Sequence, residues 1–501
     1  MNQQGIIQSA AQSGLPIAAS EALERGETMD RLFPGQFVLS EQDNLTFNGW
    51  VGHRLNRWTL YCAPGPRVRR LLDRNGTQVG WFLGEGIAAD GAYVRDGTKL
   101  PFNTRRPAVL RNTEQWIEGI AGRYLVIFDT PDLHRIYGDP VGDFACVFNP
   151  QDRLVAPIPA LATLSTPVEH PWFTSQKVLG GGFVFSLQQT PDANVLRALP
   201  NHYLDLDSFA CVRHWPRKGD NLTTPDTSWK DNADRISDRL EQIVGALADN
   251  TPVILPVSGG KDSRNLIGAA RPHLSKIAFG FAWQFHKMSK LDADIGETIC
   301  TRLGVPFRRL TYVETTPEQR DLYLRRTGFT HVGTPLRIEG TRLQLPPGHV
   351  ALRGNVMEIL RANQWNRSSM TRRRPATSFA MRRLLINRAG DQDAIRAAWQ
   401  DRYRSWAESL PKSAWRRQLD LQFIEHLLPN SLGIRHFGTP DNFVMNPFSD
   451  RALIQLAMQI DPDVRKDDLP NHYLLNRNCA DLGDIPMQRD YSRDLSLLPP
   501  P

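Results

Sequence analysis

The six residues Ser258-Gly259-Gly260-Lys261-Asp262-Ser263 bring together two glycines, two hydroxyls, one ammonium and one carboxylate. The glycines let backbone N–H groups approach an anion closely, and the hydroxyls can donate to the same oxygens. A helix starting here adds positive potential at its N-terminus. These properties suit a pyrophosphate. Asp262 would repel a bare phosphate, so it suits a divalent cation bound to that phosphate. The competing reading is a tight turn in which Asp262 and Ser263 only cap a helix. Two other glycine signals are weaker. Gly260-Lys261 departs from the Walker phosphate loop, because Asp262 replaces its Ser or Thr and Leu255 its first glycine. Gly84-Glu85-Gly86-Ile87-Ala88-Ala89 fits a loose dinucleotide fingerprint, but its surroundings are β-rich, and it reads as a turn.

The elements around the loop are those that would present it. Pro252 to Val257 is a short apolar run of the kind found in buried parallel strands, and a helical pattern follows from Asn265 to Ala270. Before the run, Asp226-Thr227-Ser228 is a helix start. Ala233, Ile236, Leu240, Ile243, Val244 and Leu247 then mark one helical face. After it come a strand at Ile277 to Trp283, a helix at Asp292 to Leu303 ended by Gly304, and a strand at Phe307 to Val313. This β-α-β-α-β alternation predicts a doubly wound parallel sheet. From about residue 380 the pattern is helical, with a final helix at Ala452 to Met458.

The first 215 residues differ. Trp58 to Tyr61, Val79 to Leu83, Tyr124 to Phe128, Ala145 to Phe148, Gly182 to Leu187 and Pro200 to Leu206 read as strands. Turns at Arg74-Asn75-Gly76 and Thr130-Pro131-Asp132 separate some of them, which predicts a sandwich or paired sheets. The boundary is expected near residues 210–228, giving regions 1–215 and 216–501. A length of 501 residues also calls for at least two domains. With 41% hydrophobic and 23% charged residues, a disordered or collagen-like chain is excluded. No apolar run approaches the ~20 residues of a spanning helix, and the first residues lack a secretion-signal pattern. Five scattered cysteines without a CxxC pair argue against a disulfide scaffold or zinc knuckle, so a cytoplasmic protein is expected. The net charge of +7 permits an anionic substrate without demanding nucleic acid.

The Ser-Gly-Gly-x-Asp-Ser pattern at 258–263 resembles the loop of the ATP-pyrophosphatase (PP-loop) superfamily. Asp292 with Gly296, Ile299, Cys300, Leu303 and Gly304 resembles the second helix of asparagine synthetase-like proteins. Asn446-Pro447-Phe448-Ser449-Asp450, Val195 to Tyr203 and Gly138 to Gly142 resemble further elements of that family. The resemblance implies an Ntn-type, glutamine amidotransferase-like sandwich in residues 1–215. It implies an ATP-binding, Mg²⁺-dependent synthetase domain in residues 216–501.

The departures narrow the expected activity. The family's glutaminases expose a cysteine at position 2, where this sequence has Asn2, and the first cysteine is Cys62. Glutamine hydrolysis by that route is not expected. Arg353-Gly354-Asn355-Val356-Met357-Glu358 resembles the second acidic stretch. It keeps Glu358 but has Met357 where a metal-binding aspartate is expected, and a thioether is a poor ligand for Mg²⁺. Near the C-terminus His472, helped by Arg477, stands for the family's lysine.

The resemblance therefore implies adenylation of a small-molecule or peptide carboxylate, with release of pyrophosphate and then of AMP to an amine or ammonia. Ser258, Gly259, Gly260 and Ser263 would hold pyrophosphate and Asp262 the metal, with Lys261 adding charge. Glu358 would position or deprotonate the amine, and His472 would steady transition-state charge. β-lactam synthetases and lasso-peptide cyclases, which also lack the cysteine, are the nearest variants of this reading. An RNA-modifying PP-loop enzyme and a non-catalytic scaffold are the rival classes. One feature stands apart from the resemblance. Eight arginines and no acid occur between Ile359 and Gly390, at positions 361, 367, 372, 373, 374, 382, 383 and 388. They form either a solvated basic face or a lid that grips an anionic substrate.

Overall fold

The computed structural model describes residues 16–43, 45–63, 67–104, 108–171, 173–175, 187–223, 228–331, 337–367, 375–384 and 393–493. Three sheets organise a mixed α/β chain. Strands from residues 37–213 build two of them, and strands from 253–445 build the third. The six-stranded sheet is antiparallel, with Phe37–Ser40 between Thr59–Cys62 and Leu154–Ala156. In the seven-stranded sheet Ala121–Thr130 lies between Gln78–Ile87 and Leu133–Gly138, also antiparallel. One short parallel pair, Val68–Leu72 with Thr98–Lys99, completes that sheet's edge.

Alternation assigns the two faces of the seven-stranded sheet. Trp81, Leu83, Leu125, Ile127 and Ile136 pack with Phe37, Leu39, Leu60 and Phe148 of the other sheet. Phe82, Tyr124, Val126 and Phe128 join Val109 and Ile117 of the helix Val109–Glu118. Burial on both faces explains why Ala121–Thr130 has no exposed position. It also corrects the reading of Gly84-Glu85-Gly86 as a turn. These residues lie inside the strand Gln78–Ile87, with Glu85 fully buried and paired to Arg67 and Arg69. A side chain at Gly84 would meet the carbonyl of Arg123 at 2.3 Å, so the glycine permits close strand pairing. The expected strand at Gly182 to Leu187 falls almost wholly outside the described residues.

The third sheet is parallel throughout, in the order Phe307–Thr311, Ile277–Gln284, Val253–Pro256, Val350–Leu352, Phe443–Met445. The order runs outward from Val253–Pro256 in both directions, so the chain reverses between that strand and Val350–Leu352. Val253, Leu255, Ile277, Val350 and Leu352 join the cluster that holds the helices Trp229–Ala248, Lys261–Ala270 and Lys287–Arg302. Ile254, Phe279, Phe281, Leu310, Ala351 and Val444 form a smaller cluster with Leu345.

Trp229–Ala248 begins at Ser228, whose hydroxyl accepts from Asp231 N while Asp231 answers the Ser228 N–H. Such a cap is worth about 1 kcal/mol. Burial of Ile236, Leu240, Ile243, Val244 and Leu247 contributes more, at about 1.5–3 kcal/mol each. An aspartate at Leu240 would break this face. The helix expected from Asp292 starts five residues earlier, at Lys287, because the His286 imidazole and Ser289 form the cap. Arg451–Gln459 is not the final helix, since Pro462–Lys466, Leu469–Cys479 and Gln488–Arg493 follow it. No helix among the described residues is long and apolar enough to cross a membrane.

The two regions meet through buried polar contacts. Arg451 donates to Asn201 Oδ1 at 3.0 Å, Tyr124 Oη and Gly138 O at 3.1 Å, and Ile117 O at 3.2 Å. Asp143 accepts from Asn446 Nδ2 at 2.6 Å and lies 3.0 Å from His436 Nε2. Glu425 takes both forks of Arg213, at 2.7 and 2.9 Å, and the Trp406 indole N–H at 2.7 Å. The segments 138–142, 195–203 and 446–450 supply Gly138, Asn201 and Asn446 to these contacts, so here they join the sheets. Trp365, Trp399 and Trp406 are buried packing residues.

Candidate functional site

The loop 258–263 leaves the C-terminal end of Val253–Pro256, beside the point where the strand order reverses. In an open parallel sheet, neighbouring connections diverge to opposite sides there and leave a crevice suited to a ligand. The segment after Val350–Leu352 forms the other wall. Contact is close, since a side chain at Gly354 would meet the Asp262 Cβ at 2.8 Å.

That segment is a 3₁₀ helix, Asn355–Arg361, in which residues three apart share a face. Val356, Met357, Ile359 and Leu360 are buried in the core. Asn355, Glu358 and Arg361 fall together on the remaining face. Arg361 donates to Asp262 Oδ2 at 2.8 Å, and Asp262 is the chief charge acting on Glu358. Met357 therefore occupies the core rather than a ligand position, and the acid this segment brings beside the loop is Glu358.

The loop holds its shape through its own hydroxyls. Ser263 Oγ lies 3.1 Å from Ser258 Oγ and donates toward the carbonyls of Ser258 and Gly260 at 3.1 and 3.0 Å. The amides expected to face phosphate are partly engaged. Gly259 N donates to Asp292 Oδ1 at 3.0 Å, and Gly260 N to Ser258 Oγ at 3.3 Å. Asp292 thus fixes the loop from outside. Gln488 reinforces it, donating its backbone N–H to Gly259 O at 3.1 Å and its amide to Asp292 Oδ2 at 2.8 Å. Gly260 is the N-cap of Lys261–Ala270 and provides no side-chain cap, which leaves first-turn N–H groups for an outside acceptor.

Two buried carboxylate oxygens in this crevice, Asp262 Oδ1 and Glu358 Oε2, have no hydrogen-bond partner. Burial, and then the Asp262 charge, push the Glu358 carboxyl up to about 8. Burial also raises Asp262, against the pull of Arg361. Two adjacent hard oxygens that repel each other fit a divalent cation bound by one or two carboxylates and completed by phosphate oxygens. Among the described residues no group of three His, Cys, Asp or Glu is arranged for a metal, so a cation here would draw its protein donors from this pair.

The remaining expected residues divide. Lys261 turns from the loop to Asp468, and its Nζ lies 3.1 Å from His472 Nε2. His472 is brought beside Lys261, and desolvation, then the Lys261 charge, lower its pKa. Arg477 is not brought to the site, because it pairs with Asp234 and Asp238 on the helix Trp229–Ala248. Of the arginine-rich segment, Arg361 reaches the loop and Arg367 pairs with exposed Asp467. Positions 372, 373, 374 and 388, like Asn2, lie outside the described residues. Cys62 lines a separate cavity of about 250 Å³ with Gln36, Arg67 and Asp441. Burial pushes its thiol up to about 12 and raises the other four cysteines as well.

Asp292 and Arg361 are participants in the loop's geometry to which the sequence reading gave no role in the site. Their signals are present: an acid one turn into the helix after the second strand, and an arginine three residues beyond Glu358. A scan against protein-family models and a search of curated proteins find no match for this chain.

Proposed function

We propose that the protein is an ATP-dependent amide-forming ligase that adenylates a carboxylate, as its resemblance to asparagine synthetase-like proteins implies. On this proposal residues 1–215 are a glutaminase-like domain without its nucleophile, and residues 216–501 are the PP-loop synthetase domain. The observation that carries it is the pair of unpartnered oxygens, Asp262 Oδ1 and Glu358 Oε2. Both are buried, Asp262 in the glycine-hydroxyl loop and Glu358 in the segment that follows the neighbouring strand at the reversal of a parallel sheet.

In this reading Ser258, Ser263 and the first-turn amides bind the pyrophosphate portion of ATP, and Lys261 adds positive charge with His472 beside it. Asp262 would hold Mg²⁺, which when bound supplies charge neutralisation to the phosphates. A carboxylate oxygen attacks the α-phosphorus and pyrophosphate leaves. An amine then attacks the acyl carbon and AMP leaves with the bonding pair. Glu358, poised near neutrality, accepts the proton that the amine nitrogen loses. Asp292 and Arg361 are positioning residues, acting through Gly259 and Asp262.

Pyrophosphate release with ATP, Mg²⁺ and a panel of carboxylic acids and amines tests the proposal. Acid-dependent release with matching AMP supports it; saturable ATP binding without release for any acid would reduce the chain to a nucleotide-binding scaffold. With glutamine as the nitrogen source, glutamate should not accumulate, since Asn2 replaces the nucleophile and the thiols of Cys62, Cys146, Cys211, Cys300 and Cys479 are all raised by burial.

A further inference from the structure

A cavity of about 510 Å³ opens where the two regions of the chain meet. Leu187, Leu196, Leu199 and the edge strand Cys211–Arg213 build one wall. The helix Asp393–Glu408 and the π-helical stretch Phe423–Leu427 build the other. None of its described lining residues belongs to the loop 258–263 or to the segment 353–361, so it is separate from the crevice. The size is that of a small-molecule pocket, and such pockets favour the junctions between domains.

The lining has two characters. Leu187, Leu196, Leu199, Val212 and Trp406 supply apolar surface. Three polar residues supply donors that nothing in the protein takes up. Arg213 commits its terminal nitrogens to Glu425 at 2.7 and 2.9 Å, but its Nε–H is buried without a partner. His426 is 1% exposed, its ring centre lies 4.6 Å from that of Trp406, and neither ring nitrogen has a partner. Burial holds its imidazole down to about 3, so the ring is neutral and carries one N–H. Arg402 is exposed and forms no ion pair with a described residue. No acid is among the described lining residues, and nearby Glu425 is taken by Arg213 and the Trp406 indole N–H. Buried donors without acceptors are unfavourable until a ligand supplies one. A guanidinium group takes a carboxylate through paired N–H donors, and one uncommitted guanidinium matches one negative charge. The apolar wall asks for a hydrophobic body on the same molecule.

We propose that this cavity binds a small organic monoacid with an apolar body. Arg402 is the counter-ion of its carboxylate, Arg213 and His426 offer the buried donors, and Trp406 and the leucines cover the body. The acid is a ligand in its own right and not the one that is activated, because the crevice shares none of these residues. Both regions contribute walls, so an acid bound here holds them together.

Calorimetry on the full chain tests it with hexanoate and 3-phenylpropanoate, each against its primary amide and against acetate. The amide keeps the body and loses the charge, and acetate keeps the charge and loses the body. At least one of the two acids should bind with a Kd below about 1 mM, and about tenfold tighter than both its amide and acetate. The margin over the amide should shrink as salt rises, because Arg402 is exposed. Arg402→Gln should erase that margin. Val212→Trp, at a position 39% exposed, should fill the space and weaken acid and amide alike. Saturation with Mg²⁺ and a non-hydrolysable ATP analogue should leave the acid bound. The proposal is overturned if neither acid exceeds its amide and acetate, or if both variants bind like the parent. Competitive displacement by the ATP analogue also overturns it, because the acid would then sit in the crevice. The wild-type comparison decides even if a variant fails to fold, and no arm of the test depends on pyrophosphate release.

Discussion

Buried charge is treated in opposite ways at the seam between the two regions and at the mouth of the parallel sheet. At the seam, Arg451 has four acceptors, Glu425 has the Arg213 fork and an indole N–H, and both oxygens of Asp143 are engaged. At the mouth, Asp262 and Glu358 each keep a buried oxygen without a partner. A matched charge registers one surface against another, and an unmatched one holds free energy that a ligand can release. The seam is therefore where substitutions should cost stability, and the mouth is where they should cost function.

The largest effect should come from Arg451→Met. It removes the Arg451 donors from Asn201 Oδ1 and Gly138 O in the interior and should destabilise the chain by about 3–5 kcal/mol in urea unfolding. A loss below about 1 kcal/mol would mean that the seam does not depend on it. Asp262→Asn should lower pyrophosphate release at least ~100-fold, about 2.7 kcal/mol of transition-state stabilisation, with Tm within about 2 °C of the parent. Full turnover with ordinary Mg²⁺ dependence in that variant would remove Asp262 from the mechanism.

Glu358→Gln should separate the two roles, because it should stabilise the fold while abolishing amide formation. The folded carboxyl ionises near 8 and the unfolded one near 4.5, so the parent loses stability as pH rises through this window. Below about pH 4.5 parent and variant should be equally stable. Above about pH 8 the variant should be ahead by about 2 kcal/mol, after allowing for partial solvation of the group. A variant less stable than the parent at pH 8.5 would show that the charge is compensated. The smallest effect should be that of Arg477→Gln, which breaks exposed pairs with Asp234 and Asp238. Stability should change by less than about 0.5 kcal/mol, and pyrophosphate kinetics should not move.

What the sequence reveals follows the length of each signal. The run Pro252 to Val257 and the helical face from Ala233 to Leu247 are long enough for burial and period to declare them. The strands Val350–Leu352 and Phe443–Met445 are three residues each, too short for either pattern, so the second wall with Glu358 is legible only through the family resemblance. Gly84-Glu85-Gly86 misled because glycine signals close backbone approach as readily as a turn, and the paired strand arrives from residue 123. The loop's own chemistry is local and could be read. Its dependence on Asp292, Arg361 and Gln488 joins residues far apart in the chain. The environment of His472 was not legible either, because burial and the Lys261 charge that lower its pKa come from residues far from it in the chain.

The clasp by Gln488 carries a consequence for the order in which the protein is made. The strand and loop at 253–263 leave the ribosome long before the residue whose N–H and amide hold Gly259 and Asp292. At about 5–20 residues per second, that residue follows roughly 12–50 seconds later. Through that interval the nascent chain has its sheet strand but lacks the brace that sets the loop. Competence is thus tied to near-completion of translation, and a chain released early, short of Gln488, would be folded in outline while its loop stayed unset.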